Sequence, residues 1–273
     1  MAGTNFEFGG YQCRAITSSE TWTVPSGISK VDVLVVGAGG SGGRSNDYRW
    51  GGGGGGMCNF QLNFSVTPGA NITVTIGAGS VRTNGGDSVF GTITAIGGKY
   101  PTTNYYGGNS GSGKTGGGGG DVPGTRTGGG GGGGDSANGG NWSGGYGGNG
   151  GDGTDYSSYF GTTYGQNGYF GGGGGGGYLP TSGTPGSGGN GGGGRGAGNG
   201  SPAVAGTANT GGGGGGYAYN SGDGASGGSG IVIVRYKILG GGILNWWFCK
   251  DSWEKHDKIF KPKIIIPKLG YVM

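Results

Sequence analysis

Up to about residue 96, apolar residues recur at every second position in short stretches, each stopped by a turn signal, which is the pattern of β-strands. Thr21-Trp22-Thr23-Val24 alternates and ends at Pro25-Ser26-Gly27, a turn. Val31 to Val36 is nearly all apolar and predicts a strand buried on both faces. Cys58, Phe60, Leu62, Phe64 and Val66 alternate with Asn59, Gln61, Asn63 and Ser65, which predicts one packed face and one wet face. Thr67-Pro68-Gly69-Ala70 turns the chain into Ile72–Ile76, and Val89-Phe90 and Ile93–Ile96 form a short pair across Gly91. A last strand, Ile231–Tyr236, stands alone far downstream. About seven strands with turns at this spacing predict an all-β sandwich.

Between the early strands and the last one the pattern disappears into glycine. Residues 107–230 hold 59 of the chain's 86 glycines, with runs at Gly116–Gly120, Gly128–Gly134, Gly171–Gly177 and Gly211–Gly216. Glycine has no side chain to bury and loses the most backbone entropy on ordering, so the tract cannot build a hydrophobic core. Two states are physically open: a flexible linker, or a lattice of polyglycine II helices, threefold and left-handed, in which backbones pack on backbones.

The flanks favour the lattice. Ile231–Tyr236 has no local partner, so it closes the sheet begun by residues 6–96, and the tract becomes an insertion tied at both ends. Large aromatics recur between the glycine runs, and a flexible linker has no use for them. The expected organisation is a β-sandwich of residues 1–96 closed by strand 231–236, a glycine-rich polyglycine II insertion at 97–230, and a basic, aromatic C-terminal segment at 237–273.

Charge narrows the partners. The net charge is +4, yet up to Tyr236 ten basic residues balance ten acidic ones, and the excess lies in the last segment. Within the tract Arg126, Arg195 and Lys114 face Asp121, Asp135, Asp152, Asp155 and Asp223, so nucleic acid is not an expected partner. Cys13, Cys58 and Cys249 show neither a disulfide framework nor metal spacing, and no metal or other cofactor is expected. No apolar run reaches the length of a membrane span, and MAGTNFEFGG lacks the features of a secretory signal.

Two nucleotide motifs occur and both read as composition. Gly37-Ala38-Gly39-Gly40-Ser41-Gly42 fits the dinucleotide fingerprint, but the residues after it cannot form the helix whose N-terminus takes the pyrophosphate. Gly108 to Thr115 fits the P-loop, with Lys114 and Thr115 in the phosphate and Mg²⁺ positions, but five glycines follow where a helix must begin. His256 is the single histidine and lies in a basic segment without the partners of a catalytic triad. No catalytic residue is expected.

The quoted strings Thr21–Gly27 and Val31–Gly37 resemble the start of the bacterial and phage glycine-rich domain family. The likeness continues through Val66–Gly69, Ile72–Gly79, Gly85–Gly91 and Gly228–Tyr236, so it covers about residues 18–236. It implies a jelly-roll-like β-sandwich carrying polyglycine II helices, a fold similar to phage tail-fibre adhesins and, remotely, to the glycine-rich domain of anaplastic lymphoma kinase-type receptors. The family brings no catalytic residue.

The expected function is that of a non-enzymatic virion surface protein, in a tail fibre or on the capsid exterior, binding a host surface glycan or outer-membrane protein. A purely structural decoration or fibre subunit is the alternative, and a homo-oligomer is compatible with both. The receptor-binding candidates are the aromatics at loop tips: Trp142 and Tyr146; Tyr156, Tyr159, Phe160 and Tyr164; Tyr169 and Phe170. Asn141, Asn149, Asp152 and Asp155 lie beside them in sequence and are candidates to bond sugar hydroxyls. Trp246, Trp247, Phe248, Trp253 and Phe260, set among lysines, are the candidate attachment to other virion proteins.

Overall fold

The computed structural model describes residues 3–44, 50–102, 105–122, 126–179, 183–198, 200–217 and 222–237. The predicted C-terminal attachment residues and His256 lie outside them. The described chain is predominantly β, in several antiparallel sheets.

The strands, in chain order, are β1 (Thr4–Phe8), β2 (Tyr11–Ile16), β3 (Glu20–Thr23), β4 (Lys30–Val36), β5 (Cys58–Ser65), β6 (Asn71–Thr75), β7 (Ser88–Phe90) and β8 (Ile93–Ala95). Short strands β9 (Gly120–Val122), β10 (Arg126–Gly128), β11 (Thr154–Asp155), β12 (Tyr169–Phe170) and β13 (Tyr178–Leu179) follow in the glycine tract, and β14 (Ile231–Tyr236) ends the series. A five-stranded sheet runs β1-β2-β14-β4-β5 and a four-stranded one β3-β6-β7-β8. β14 sits between β2 and β4, so the strand farthest along the chain is central to the larger sheet.

Apolar patterning explains where each strand is buried. Val31, Val33 and Val35 of β4 and Val232 and Val234 of β14 face the four-stranded sheet, meeting Trp22, Val74, Phe90 and Ile93. Leu34 and Val36, with Ile231 and Ile233, point to the opposite face. Both strands are therefore apolar at successive positions because both faces are covered. Full burial of each Val, Ile or Leu is worth about 1.5–3 kcal/mol over exposure, which makes these two strands the apolar centre of the molecule.

β5 departs from simple alternation. Its register against β4 shifts between Val31 and Val33, where Val31 faces Phe64 but Val33 faces Gln61. The extra residue is a β-bulge at Leu62–Asn63, with Asn63 at φ 54° and its N–H donating to Asp32 Oδ1 at 2.8 Å. The bulge reverses the phase: Phe64 packs between the sheets, Phe60 packs on the other face, and Leu62 is exposed. The single packed face predicted for this strand is thus split between two.

The glycine runs are ordered by their own backbones, with a period of three. Gly52 and Gly55 donate to Gly130 and Gly133, and Gly53 and Gly56 donate to Gly214 and Gly211. Gly54 and Met57 donate to Lys99 and Ile96. Three successive residues therefore reach three different neighbours, and the fourth returns to the first. Gly171–Gly177 behaves alike: 172 and 175 bond one neighbour, 173 and 176 a second, 174 and 177 a third. Neighbours run both parallel and antiparallel, since acceptor numbers rise by three in some rows and fall by three in others. The backbone polar groups of a core without side chains are satisfied in this way.

Candidate functional site

Residues 154–170 form an aromatic layer over the outer face of the five-stranded sheet. β11 pairs with β12, and a single helical turn, Ser157–Phe160, lies between them. Asp155 Oδ1 accepts from the Ser157 N–H at 2.8 Å at the start of this turn, and that bond holds the Asp155 carboxyl below its usual value. Phe160 and Phe170 are fully buried against Ala15, Leu34, Val36, Ile231 and Ile233, with Tyr156, Tyr159 and Tyr164 partly buried beside them. Phe60 meets Tyr156, Tyr159 and Phe160 edge to face at 5.4, 4.7 and 5.7 Å, and Phe6 meets Tyr164 at 5.2 Å. These predicted receptor-binding rings are packed in one cluster, and Tyr169 is half-buried in β12.

Arg235 fastens the layer to the sheet. Its Nε donates to Asp32 Oδ2 at 3.0 Å and one terminal nitrogen donates to the Tyr159 carbonyl at 2.8 Å. The guanidinium lies 4.4 Å from the Tyr11 ring centre and 4.8 Å from that of Tyr159. On the far side Asp135 Oδ1 accepts from the Cys58 N–H at 2.9 Å, and Oδ2 accepts from the Thr154 hydroxyl. Burial pushes the Cys58 thiol well above its ordinary value, and neighbouring Asp135 adds to the rise. Burial also raises Tyr156 strongly, with Cys58 and Asp135 contributing. A thiol held neutral is a poor nucleophile.

Trp142 and Tyr146 lie elsewhere, on the glycine slab. The Trp142 ring rests against Gly120 and Gly128, where a Cβ on Gly128 would stand 1.8 Å from Trp142 Cδ1. Its Nε1 is buried without a hydrogen-bond partner among the described residues. Tyr146 is 64% exposed, on the turn closed by paired bonds between Ser143 and Tyr146. Tyr106, 52% exposed, shares this region, because Gly118 lies beside both its ring and the Asn141 side chain. Sequence reasoning did not single out Tyr106.

The polar residues predicted to meet sugars bond the chain's own backbone. Asn149 Oδ1 accepts from the Ser187 N–H at 3.0 Å while the Gly150 N–H donates to the Ser187 carbonyl at 2.8 Å. Three residues on, Asp152 and Gly153 grip Asn190 in the same way. Asn138 with Gly139 grips Thr115, and Asn141 with Trp142 grips Gly118, again three apart. In each pair a side-chain oxygen accepts from the N–H of the gripped residue while a backbone N–H donates to its carbonyl, so one side chain stands in for a backbone acceptor. The signal was readable as Asn or Asp at a spacing of three.

The two nucleotide-like motifs are absorbed by the same bonding. Gly37, Gly40 and Gly43 donate to Met57, Gly54 and Gly51, while Gly39 and Gly42 donate to Gly228 and Ala225. Lys114 closes a tight turn on Ser110, its N–H donating to Ser110 Oγ at 2.9 Å and its carbonyl accepting from the Ser110 N–H at 2.8 Å. Among the described residues no group of three His, Cys, Asp or Glu is placed to hold a metal ion, and no helix is long and apolar enough to cross a membrane.

The glycine-rich domain family matches residues 15–237, so the chain belongs to that family. No curated protein matches the chain.

Proposed function

Taking the chain as a glycine-rich domain, we propose that it is a non-enzymatic virion surface protein, of a tail fibre or the capsid exterior, that binds a host surface glycan or outer-membrane protein. On this reading the two large sheets are a jelly-roll-like β-sandwich base and the glycine tract is an inserted polyglycine II bundle. The three-residue period of the backbone bonds supports the bundle, since threefold helices return to the same neighbour every third residue. Amides that a nucleotide would need, at Gly37–Gly42, are committed to the chain's own carbonyls, which supports a role without catalysis.

The observation that carries the binding role is the exposure of Tyr146 and Tyr106 beside Trp142 on a backbone-packed slab. Rings mounted on a rigid base lose little entropy when a ligand arrives, and each offers a face to a sugar or an apolar pocket. The aromatic cluster over the sheet supports a different role for Tyr156, Tyr159, Phe160, Tyr164 and Phe170, that of a second core. If all the rings are structural, the protein is a decoration or fibre subunit with no specific ligand. Attachment to other virion proteins falls to the C-terminal segment, and homo-oligomers fit either role.

Replacing Tyr106 and Tyr146 together by Ser separates the two roles. Loss of attachment to host cells with an unchanged melting temperature supports the adhesin. Unchanged attachment rejects this surface, and the decoration role then stands if Trp142→Ala also leaves attachment intact.

A further inference from the structure

We propose that Asn167 is a site at which the chain modifies itself, losing its side-chain amide through attack by the backbone nitrogen of Gly168. The Gly168 nitrogen forms a bond to Asn167 Cγ, the Cγ–Nδ2 bond breaks, and the nitrogen's proton leaves with the ammonia. Water then opens the cyclic imide at either carbonyl, giving aspartate or isoaspartate. The net change consumes one water and releases one ammonia, and nothing is oxidised or reduced.

The chain contains an internal comparison. Five Asn–Gly pairs are described: Asn84–Gly85, Asn138–Gly139, Asn149–Gly150, Asn167–Gly168 and Asn190–Gly191. In three of them both reacting groups are held. Asn138 and Asn149 keep Oδ1 on the N–H of Thr115 and Ser187, while Gly139 and Gly150 donate to the carbonyls of those same residues. Asn84 Oδ1 accepts from the Tyr100 N–H and Gly85 donates to Gly98. At the fourth, Gly191 donates to Gln166 Oε1 at 2.8 Å. Cyclisation must break these bonds.

Asn167 differs from the three doubly held pairs in its free side chain and in the length of its glycine bond. Its side chain is exposed and makes no hydrogen bond among those described, and the Gly168 N–H reaches the Tyr164 carbonyl at 3.2 Å, the longest of the five glycine bonds. Asn167 and Gly168, at φ 54° and 89°, form the two-residue turn of a hairpin in which Gln166 and Tyr169 exchange both backbone bonds. Exposure also admits the water that the second step consumes.

The product reaches beyond the turn. Isoaspartate inserts a methylene into the backbone and removes the geometry that the two positive φ angles supply. Gln166, the preceding residue, holds the amides of Gly191 and Gly192 at 2.8 and 2.9 Å through one oxygen. Modification at Asn167 therefore loosens the start of the 191–194 run as well as the hairpin.

The test is ageing of the full native chain at neutral pH, with conversion at each Asn–Gly pair followed by peptide mapping and mass spectrometry. Rates are divided by those of the same pairs in the guanidinium-unfolded chain, which removes the effect of flanking sequence. Asn167 is expected to convert faster than Asn138 and Asn149 by a factor on the order of ten, one decade of rate. Equal or slower conversion at Asn167 overturns the proposal. Amide exchange at 189–194 is expected to quicken as the native chain ages and to stay constant in Asn167→Gly, which keeps the turn and lacks the reactive amide. Quickening of the same size in Asn167→Gly overturns the link to the run.

Discussion

A Cβ on Gly52 would stand 1.9 Å from the carbonyl oxygen of Gly174, closer than any real contact between such atoms. The neighbouring bond, from the Gly174 N–H to the Gly53 carbonyl at 2.8 Å, fixes the two backbones at that approach. Neither can retreat without breaking rows on its other sides. Gly52→Ala is therefore expected to cost about 3 kcal/mol or more, at the upper end of overpacking, because the obstacle is backbone and not a movable side chain. Gly118 is the control, since a Cβ there finds only ordinary contacts at 3.5 Å with Asn141 and Tyr106. Gly118→Ala should lie within about 0.5–1 kcal/mol of the parent, the helix-like entropy effect being small here. Equal losses of melting temperature in the two variants would mean that close backbone packing does not hold the slab together.

The Asn and Asp grips on the outer rows give a second expectation. Asn149→Ala leaves the Ser187 N–H without its acceptor, a loss of about 0.5–1 kcal/mol for an exposed donor. Asn149→Asp keeps an acceptor oxygen in place and should lose less. With Asp152→Ala added, both grips on the 187–190 segment go, and amide exchange there should quicken while Gly52–Gly56 stays protected. Uniform quickening across both segments would show that the grips and the interior rows open as one unit.

The sequence made the strands legible where period two coincides with a turn signal, as at Thr21–Gly27 and Ile72–Ile76. It hid the bulge at Leu62–Asn63, because an inserted residue changes the phase without changing the residue types. The hydrogen-bond rows of the glycine runs leave no trace in glycine itself, and only the three-residue spacing of Asn138, Asn141, Asn149 and Asp152 records the period. The aromatic layer was hinted at by a demand elsewhere. β4 and β14 are apolar on two faces, the four-stranded sheet covers one, and something large and apolar must cover Leu34, Val36, Ile231 and Ile233. Tyr156 to Phe170 is that cover, which local reading of loop tips could not reveal.

Arg235 joins three elements at one buried point, and its side chain is only 9% exposed against 12% for Asp32. Arg235→Ala strands Asp32 and frees the Tyr159 carbonyl, so a loss of about 3–5 kcal/mol is expected. Arg235→Lys should not restore it, because an ammonium cannot serve the carboxylate and the carbonyl while lying flat between Tyr11 and Tyr159. The double variant Arg235→Met/Asp32→Leu should lose less than Arg235→Ala, since no charge is left alone. Denaturant midpoints at constant slope measure all three, and full stability in Arg235→Ala would remove this clamp from the account.

Alkaline pH should weaken the fold before acid does anything comparable to the same groups. Burial raises Cys13 and Cys58 above the thiol value of 9.0 and Tyr156 and Tyr236 above the phenol value of 10.0. In the unfolded chain these groups release protons as pH passes about 9 to 10, while the folded chain still holds them. The unfolded state then binds fewer protons, so stability falls as pH rises. It is fully present below about pH 9 and is lost progressively toward the raised folded values. Tyr156 has the largest rise of the two phenols and sits in the aromatic layer, so Tyr156→Phe removes its share while keeping the ring that meets Phe60 at 5.4 Å. Melting temperatures of the parent and of Tyr156→Phe should be close at pH 7 and diverge above about pH 10, with the variant falling less. Parallel decline of the two curves would mean that Tyr156 ionises as readily folded as unfolded, and that the layer admits water to its hydroxyl.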